Sequence, residues 1–325
     1  LDEVKWARVV TNAVKAPLYE VNVDPLDCGW SINEALYQVE DPYLTLPLPM
    51  LATFRAISNS GIKVTLDGHG ADELFSGYGH LESAFHSSNP KETAELVSII
   101  DSLESGQYKP IGGNLKINFL KQKLIKSLKP QLVKLIVFLK TLIGKDMEFF
   151  RYRQENTDRS HPQFKKLDPL SQNLYEIFHR TTLPTLLRNY DRYSMANGVE
   201  IRMPFMDHRL VTYTFSLPWT SKVGGTYTKR IMRDALKGIL PEQIRTRRDK
   251  LGWNAPLHEW FKGPLKDEIE ELIAKDSLPK KVQKVWQQFQ KKTNPNFSDG
   301  QKVWKFLMPS LWKKALFEDS FRGPN

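Results

Sequence analysis

Ile62-Lys63-Val64-Thr65-Leu66-Asp67-Gly68-His69-Gly70-Ala71-Asp72-Glu73 is the stretch whose reading decides the fold. Its first five residues read as a strand, entered by the turn at Ser60-Gly61. In parallel α/β sheets, ligands bind outside the carboxyl ends of strands, where loops such as this one turn into helices. Gly68 and Gly70 let the backbone approach a ligand closely, and a helix opening near Asp72 offers N–H groups to an anion. Acids within such a turn can hold a metal or an ammonium group. On these residues alone, a tight structural turn explains the loop as well as a ligand does. It is neither the phosphate loop that ends in Gly-Lys-Ser/Thr nor a dinucleotide fingerprint, since no third glycine follows at the required spacing.

Upstream, residues 3–14 form an amphipathic pattern, with Val4, Ala7, Val10 and Val14 at helical spacing. Leu18–Val23, rich in β-branched and aromatic residues, predicts a further strand before a turn around Pro25–Gly29. Helices are expected near Ile32–Val39 and Pro49–Asn59. Strand–helix–strand at this spacing implies a right-handed crossover and a parallel sheet. From residue 82 onward the pattern is overwhelmingly helical. The expected class is therefore α/β, an incomplete parallel-sheet unit followed by a large, mostly helical remainder.

The 325 residues are ample for a packed core, and 40% hydrophobic with 26% charged residues excludes collagen-like, disordered and disulfide-scaffold classes. The single cysteine, Cys28, reads as a structural thiol and fits a reducing, cytoplasmic setting. The chain opens Leu1-Asp2-Glu3 without a basic-then-apolar leader. Its most apolar run, Leu132 to Ile143, is broken by Lys134 and Lys140 and falls far short of the roughly 20 residues of a membrane span. The net charge of +10 owes much to the lysines between Lys116 and Lys145, which have no acid among them until Asp146. They read either as the solvated faces of two helices broken at Pro130 or as a patch for nucleic acid or anionic membrane. The aromatics do not interleave with them, so a nucleic-acid partner is not expected.

Taken with three later segments, the glycine loop becomes specific. Leu66 to Tyr78 closely resembles the Gly-x-Gly-(Ser/Ala/Gly)-Asp-Glu-x-x-x-Gly-Tyr motif of glutamine-dependent asparagine synthetases. In the same order follow Leu183-Pro184-Thr185-Leu186-Leu187 with Asp191-Arg192-Tyr193-Ser194-Met195-Ala196, and Val199-Glu200-Ile201-Arg202-Met203-Pro204-Phe205-Met206-Asp207-His208-Arg209-Leu210. The last is Thr228-Lys229-Arg230-Ile231-Met232-Arg233, followed by Leu240-Pro241, Arg247, Lys250 and Gly252-Trp253. The resemblance is to the synthetase domain and spans nearly the whole chain. It implies an adenine-nucleotide α-hydrolase-like unit in residues 1–82, a helical lysine-rich insertion over 83–175, and a helical C-terminal part over 176–325.

The resemblance also implies a reaction. A carboxylate, aspartate in the family, attacks the α-phosphorus of Mg2+-bound ATP to give an acyl-adenylate and pyrophosphate. Ammonia, drawn from glutamine by a glutaminase domain, then displaces AMP. On this basis Asp67, Gly68 and Gly70 are expected at the nucleotide or adenylate. Asp72 is expected at the substrate's amino group or a metal, and Lys229 at the departing pyrophosphate, a task suited to a compact point charge. Glu73, Asp191, Arg192, Glu200, Arg202 and Asp207 are expected to contact substrate or to form a charged network behind the site. Pro204-Phe205 reads as a packing corner, and Trp253 and Trp260 as core or lid.

Two departures qualify what the resemblance implies. His69 stands where the family carries a glutamate that acts as base toward ammonia; histidine can also take a proton near neutral pH. A sugar acid or a β-lactam-synthetase-like substrate is therefore an alternative acceptor. The Ser-Gly-Gly-x-Asp-Ser pyrophosphate loop and the cysteine of a glutaminase domain are not found in these residues. The chain is accordingly expected to be part of a longer synthetase, weak for ATP by itself and without glutaminase activity. A homodimer, a pseudo-enzyme and a non-catalytic basic binding module are the remaining alternatives.

Overall fold

The computed structural model describes residues 3–41, 45–78, 96, 99, 162–225, 227–248, 254–275 and 278–318. Lys116–Lys145, Lys250, Gly252 and Trp253 therefore lie outside the described residues. Along the chain, helices α1 (Val4–Val14), α2 (Ile32–Val39) and α3 (Leu48–Asn59) precede strand β1 (Val64–Leu66) and the short helix α4 (Ala71–Phe75). Next come α5 (Pro162–Lys166), α6 (Pro169–His179), α7 (Thr182–Met195), β2 (Glu200–Arg202), α8 (His208–Ser216) and α9 (Trp219–Lys222). The strands β3 (Val223–Gly224) and β4 (Tyr227–Thr228) lead into α10 (Arg230–Ala235) and α11 (Glu242–Arg245). Then follow α12 (Leu257–Trp260), α13 (Lys266–Lys275), α14 (Lys280–Gln290) and α15 (Phe297–Lys313), which runs into a π-helical turn at Lys314–Glu318. The protein is thus mostly helical with a small parallel sheet.

The chain forms two compact units, each drawn from separated stretches. The first contains Leu1–Gly68, Pro184–Pro204 and Gly252–Asn325; the second contains His69–Leu183 and Phe205–Leu251. In the first unit β1 pairs in parallel with β2, in the register Val64↔Glu200, Thr65↔Ile201 and Leu66↔Arg202. The parallel sheet expected from the crossover argument exists, but its second strand is Glu200–Arg202. Leu18–Val23, expected as a strand, is not one. Tyr19 and Val21 are 81% and 41% exposed, and β-branched composition makes no strand without a neighbouring backbone to bond.

Packing in this unit centres on α15, whose Val303, Trp304, Leu307 and Leu311 meet Leu36 and Val39 of α2 in one apolar cluster. Phe261, Trp286 and Phe289 join the same cluster, as does Trp260 of α12. Two capping boxes fix the helices that build it. Ser31 and Glu34 close the start of α2, and Asn296 and Asp299 that of α15; each cap contributes about 1 kcal/mol. Cys28 is half-buried against this cluster, its thiol donating to the Trp30 carbonyl at 3.4 Å and pushed up in pKa by burial.

The second unit has its own core. Leu170, Leu174 and Ile177, one face of α6, pack with Trp219 and Val223. Asp168 caps α6 by accepting from the Ser171 N–H at 2.9 Å. Among the described residues, no helix is long and apolar enough to cross a membrane.

Candidate functional site

The glycine loop leaves β1 in the first unit and enters the second between Gly68 and His69. In the first unit, the Asp67 N–H continues the sheet ladder by donating to the Arg202 carbonyl at 2.9 Å. Gly68 is exposed, with no atom within 4 Å of where a Cβ would lie, so its backbone is approachable from outside. Arg202 bonds Glu200 at 2.8 Å, both more than half exposed. Arg192 pairs with Glu40 at 2.6 Å, and the Asp191 carbonyl accepts from Ser194.

The second unit holds the rest of the motif. Gly70, with φ +92°, starts α4; a Cβ there would lie 3.1 Å from Met206 Sδ and 3.5 Å from Phe205 Cβ. Phe205 also meets Phe75 edge-on at 6.2 Å, so it is the packing residue its sequence context predicts. Asp207 caps α8 and accepts from the Arg209 guanidinium, which holds its carboxyl well below the usual carboxylate range.

The closest assembly of predicted residues is Asp72 with Lys229. Lys229 Nζ lies 2.6 Å from Asp72 Oδ1, each side chain only about one-fifth exposed (21% and 20%). The lysine backbone is left-handed, φ 54°, and its N–H donates to the Phe75 carbonyl at 3.1 Å. A lysine in that region carries about 1–2 kcal/mol of strain. Both ends of Lys229 are therefore tied to α4, one at Asp72 and one at Phe75.

Gly77 makes room for this arrangement. A Cβ on it would fall 1.7 Å from Asp72 Oδ1 and 2.6 Å from Lys229 Cε. Glu73 is 1% exposed and accepts from the Tyr78 hydroxyl at 2.9 Å; burial pushes its carboxyl above the ordinary range. His69 is half-buried and close enough for its charge to act on Glu73. Gly77 and Tyr78 are part of the quoted motif, yet neither is marked by residue type as a site residue. Their roles emerge only once α4 is turned so that Asp72 and Glu73 face them. Among the described residues, no group of three or more His, Cys, Asp or Glu could hold a metal ion.

Fold and motif together define a mostly helical α/β protein in which the short helix after strand β1 holds an acid that pairs with a distant lysine. The family model described as asparagine synthase matches residues 1–314, and the chain belongs to that family. It is similar to two Bacillus subtilis proteins named "Asparagine synthetase [glutamine-hydrolyzing]", numbers 1 and 3. The first is 24% identical over 80% of this chain and 42% of its own length; the second is 26% identical over 76% and 35%. It is also 26% identical to "Amidase chyE" of Penicillium rubens, over 85% of this chain and 45% of that protein. The chain thus spans less than half the length of these curated relatives.

Proposed function

We propose that this chain performs the synthetase chemistry of a carbon–nitrogen ligase, the ATP-dependent amidation of a carboxylate, with aspartate as acceptor. The observation that carries the reading is the ion pair between Lys229 and Asp72, the latter in the short helix that follows parallel strand β1 in the chain. A carboxylate oxygen of the acceptor bonds to the α-phosphorus as the bond to pyrophosphate breaks. Ammonia then bonds to the activated carbonyl, AMP leaves, and one proton is taken from the nitrogen. Lys229 meets the charge that accumulates on the departing pyrophosphate, and Asp72 holds the ammonium in place for it. The open backbone at Gly68 contacts the nucleotide. His69, an imidazole where the family carries a glutamate, is the base toward the amine. Mg2+ would come with ATP, needing only one or two carboxylates beside the phosphates, and would neutralise phosphate charge. Glutamine enters only through a glutaminase domain, which would supply the ammonia.

The histidine also favours a second reading. It offers no carboxylate to an ammonium group, and relatives named amidases point the same way, toward another acceptor such as a sugar acid. Protein expressed from the native gene, given MgATP, an ammonium salt and a panel of carboxylic acids, is expected to release AMP with its true acceptor. Lys229→Ala should lower that rate by about 10²–10³-fold, the scale of losing one oxyanion-stabilising group. Unchanged AMP release in Lys229→Ala, or none with any acid, would overturn the proposal.

A further inference from the structure

Residues 279–314, all in the first unit, hold nine lysines, no arginine and a single acid, Asp299. That acid is engaged: it closes the start of α15 with Asn296 and pairs with Lys292 at 2.5 Å. The preceding helix, α13, carries Asp267, Glu268, Glu270 and Glu271, so the two signs of charge are segregated by helix. On α14 and its C-cap, Lys280, Lys284 and Lys291 recur at i, i+4 and i+11, opposite the buried Val282, Trp286 and Phe289. On α15, Lys302, Lys305 and Lys313 line the side opposite the buried Val303, Trp304, Leu307 and Leu311. Four residues past Lys313, in the π-helical turn, Phe317 is 72% exposed, and its ring meets the half-buried Trp312 at 6.0 Å. The two helices pack on each other, with the Lys281 ammonium of α14 5.0 Å from the centre of the Phe306 ring of α15.

Lys280, Lys284, Lys291, Lys302 and Lys305 are all exposed, and none of them makes an ion pair among the described residues. α14 contains no acid and the one acid of α15 is committed to Lys292, so the fields of these lysines add over both helices. A polyanion answers such a field. Stable protein interfaces are depleted in lysine and centred on apolar anchors, whereas Phe317 stands beyond the lysines rather than among them. Nucleic-acid recognition favours guanidinium forks, and this stretch has no arginine. An anionic bilayer asks only for a sum of point charges and is well met by an exposed ring at headgroup depth; the five ammonium groups and Phe317 supply both.

We propose that the outer face of α14 and α15 is a docking surface for an anionic bilayer. Lys280, Lys284, Lys291, Lys302 and Lys305 meet the acidic headgroups, and Phe317 inserts among them. The surface concerns where the protein works rather than what it catalyses. None of its residues belongs to the Asp72–Lys229 pair, so it stands apart from the amidation reading.

Sedimentation of the whole protein with vesicles tests it. The protein is expected to bind vesicles of phosphatidylcholine with about 30% phosphatidylserine but not those of phosphatidylcholine alone, and binding should weaken as salt is added. Lys280→Gln, Lys284→Gln, Lys302→Gln and Lys305→Gln combined should weaken binding at least about 100-fold, since each lysine near such a surface contributes about fivefold. All four positions are exposed, so the circular dichroism and thermal unfolding of this variant should match the wild type. Phe317→Ser should weaken binding about threefold or more and leave its salt dependence unchanged. Vesicle binding that survives the fourfold variant would belong to other lysines and would overturn the proposal. So would equal binding to both vesicles, binding to neither, or capture of an oligonucleotide at the same salt without vesicle binding. Because no step of the assay uses ATP, a failure here leaves the amidation reading to its own test.

Discussion

Gly77 shows how much a site can depend on a hydrogen in place of a methyl group. Asp72 and Lys229 meet in the space a side chain at Gly77 would occupy, with 1.7 Å left between a Cβ and the carboxylate oxygen. Gly77→Ala is therefore expected to separate the pair and to destabilise the second unit by about 1–3 kcal/mol, the usual penalty for overpacking. Denaturant unfolding measures the second effect; AMP release measures the first and should fall as far as in Lys229→Ala. Sequence made both partners legible, since each sits in a quoted motif. Their pairing was not legible, because the two residues lie far apart in the chain and meet where the Lys229 N–H bonds the Phe75 carbonyl at the end of α4. The left-handed backbone at Lys229 was equally hidden, as lysine gives no local cue for positive φ.

At the scale of elements, the junction of α6 and α9 offers a second test. Lys222, the last residue of α9, has no exposed surface; its ammonium donates to Leu217 O at 2.8 Å and Ser171 Oγ at 3.1 Å. Ser171 in turn donates to Asp168, the cap of α6. Burial lowers the Lys222 pKa to about 8, with Asp168 partly opposing the shift. Below that pH the folded protein carries the cost of a buried charge; between pH 8 and the ordinary lysine value near 10.5, the unfolded chain binds more protons. Stability of this unit should thus rise with pH across that window, by on the order of 2–4 kcal/mol. Unfolding curves at several pH values, followed by circular dichroism, should show the rise in the wild type and a much smaller one in Lys222→Met. Helices were the best-read elements: α2 occupies Ile32–Val39, where a helix was expected, and the structure adds the Ser31–Glu34 capping box that closes its start. Glu200–Arg202 was read for its charges instead; its polar–apolar–polar alternation suits a strand, but three residues are too few for the pattern to stand out.

The whole molecule is woven from stretches that pass between units after Gly68, Leu183, Pro204 and Leu251. A linear division of the sequence into successive parts cannot express that, since periodicity reports neighbours along the chain and not partners across it. The parallel pairing of β1 with β2 is the clearest case, because Thr65 bonds the Glu200 carbonyl across 135 residues. On a ribosome adding about 5–20 residues per second, β1 therefore waits roughly 7–30 s for its partner strand to be made. Throughout that interval the backbone edge of β1, with apolar Val64 and Leu66 beside it, is open to any other nascent strand. Ribosome-bound chains arrested before Glu200 should be cut near β1 by protease and held by chaperones, whereas chains arrested well past Arg202 should be protected there. How reliably this protein is made would then depend on the pace of its translation and on what shelters one short edge meanwhile.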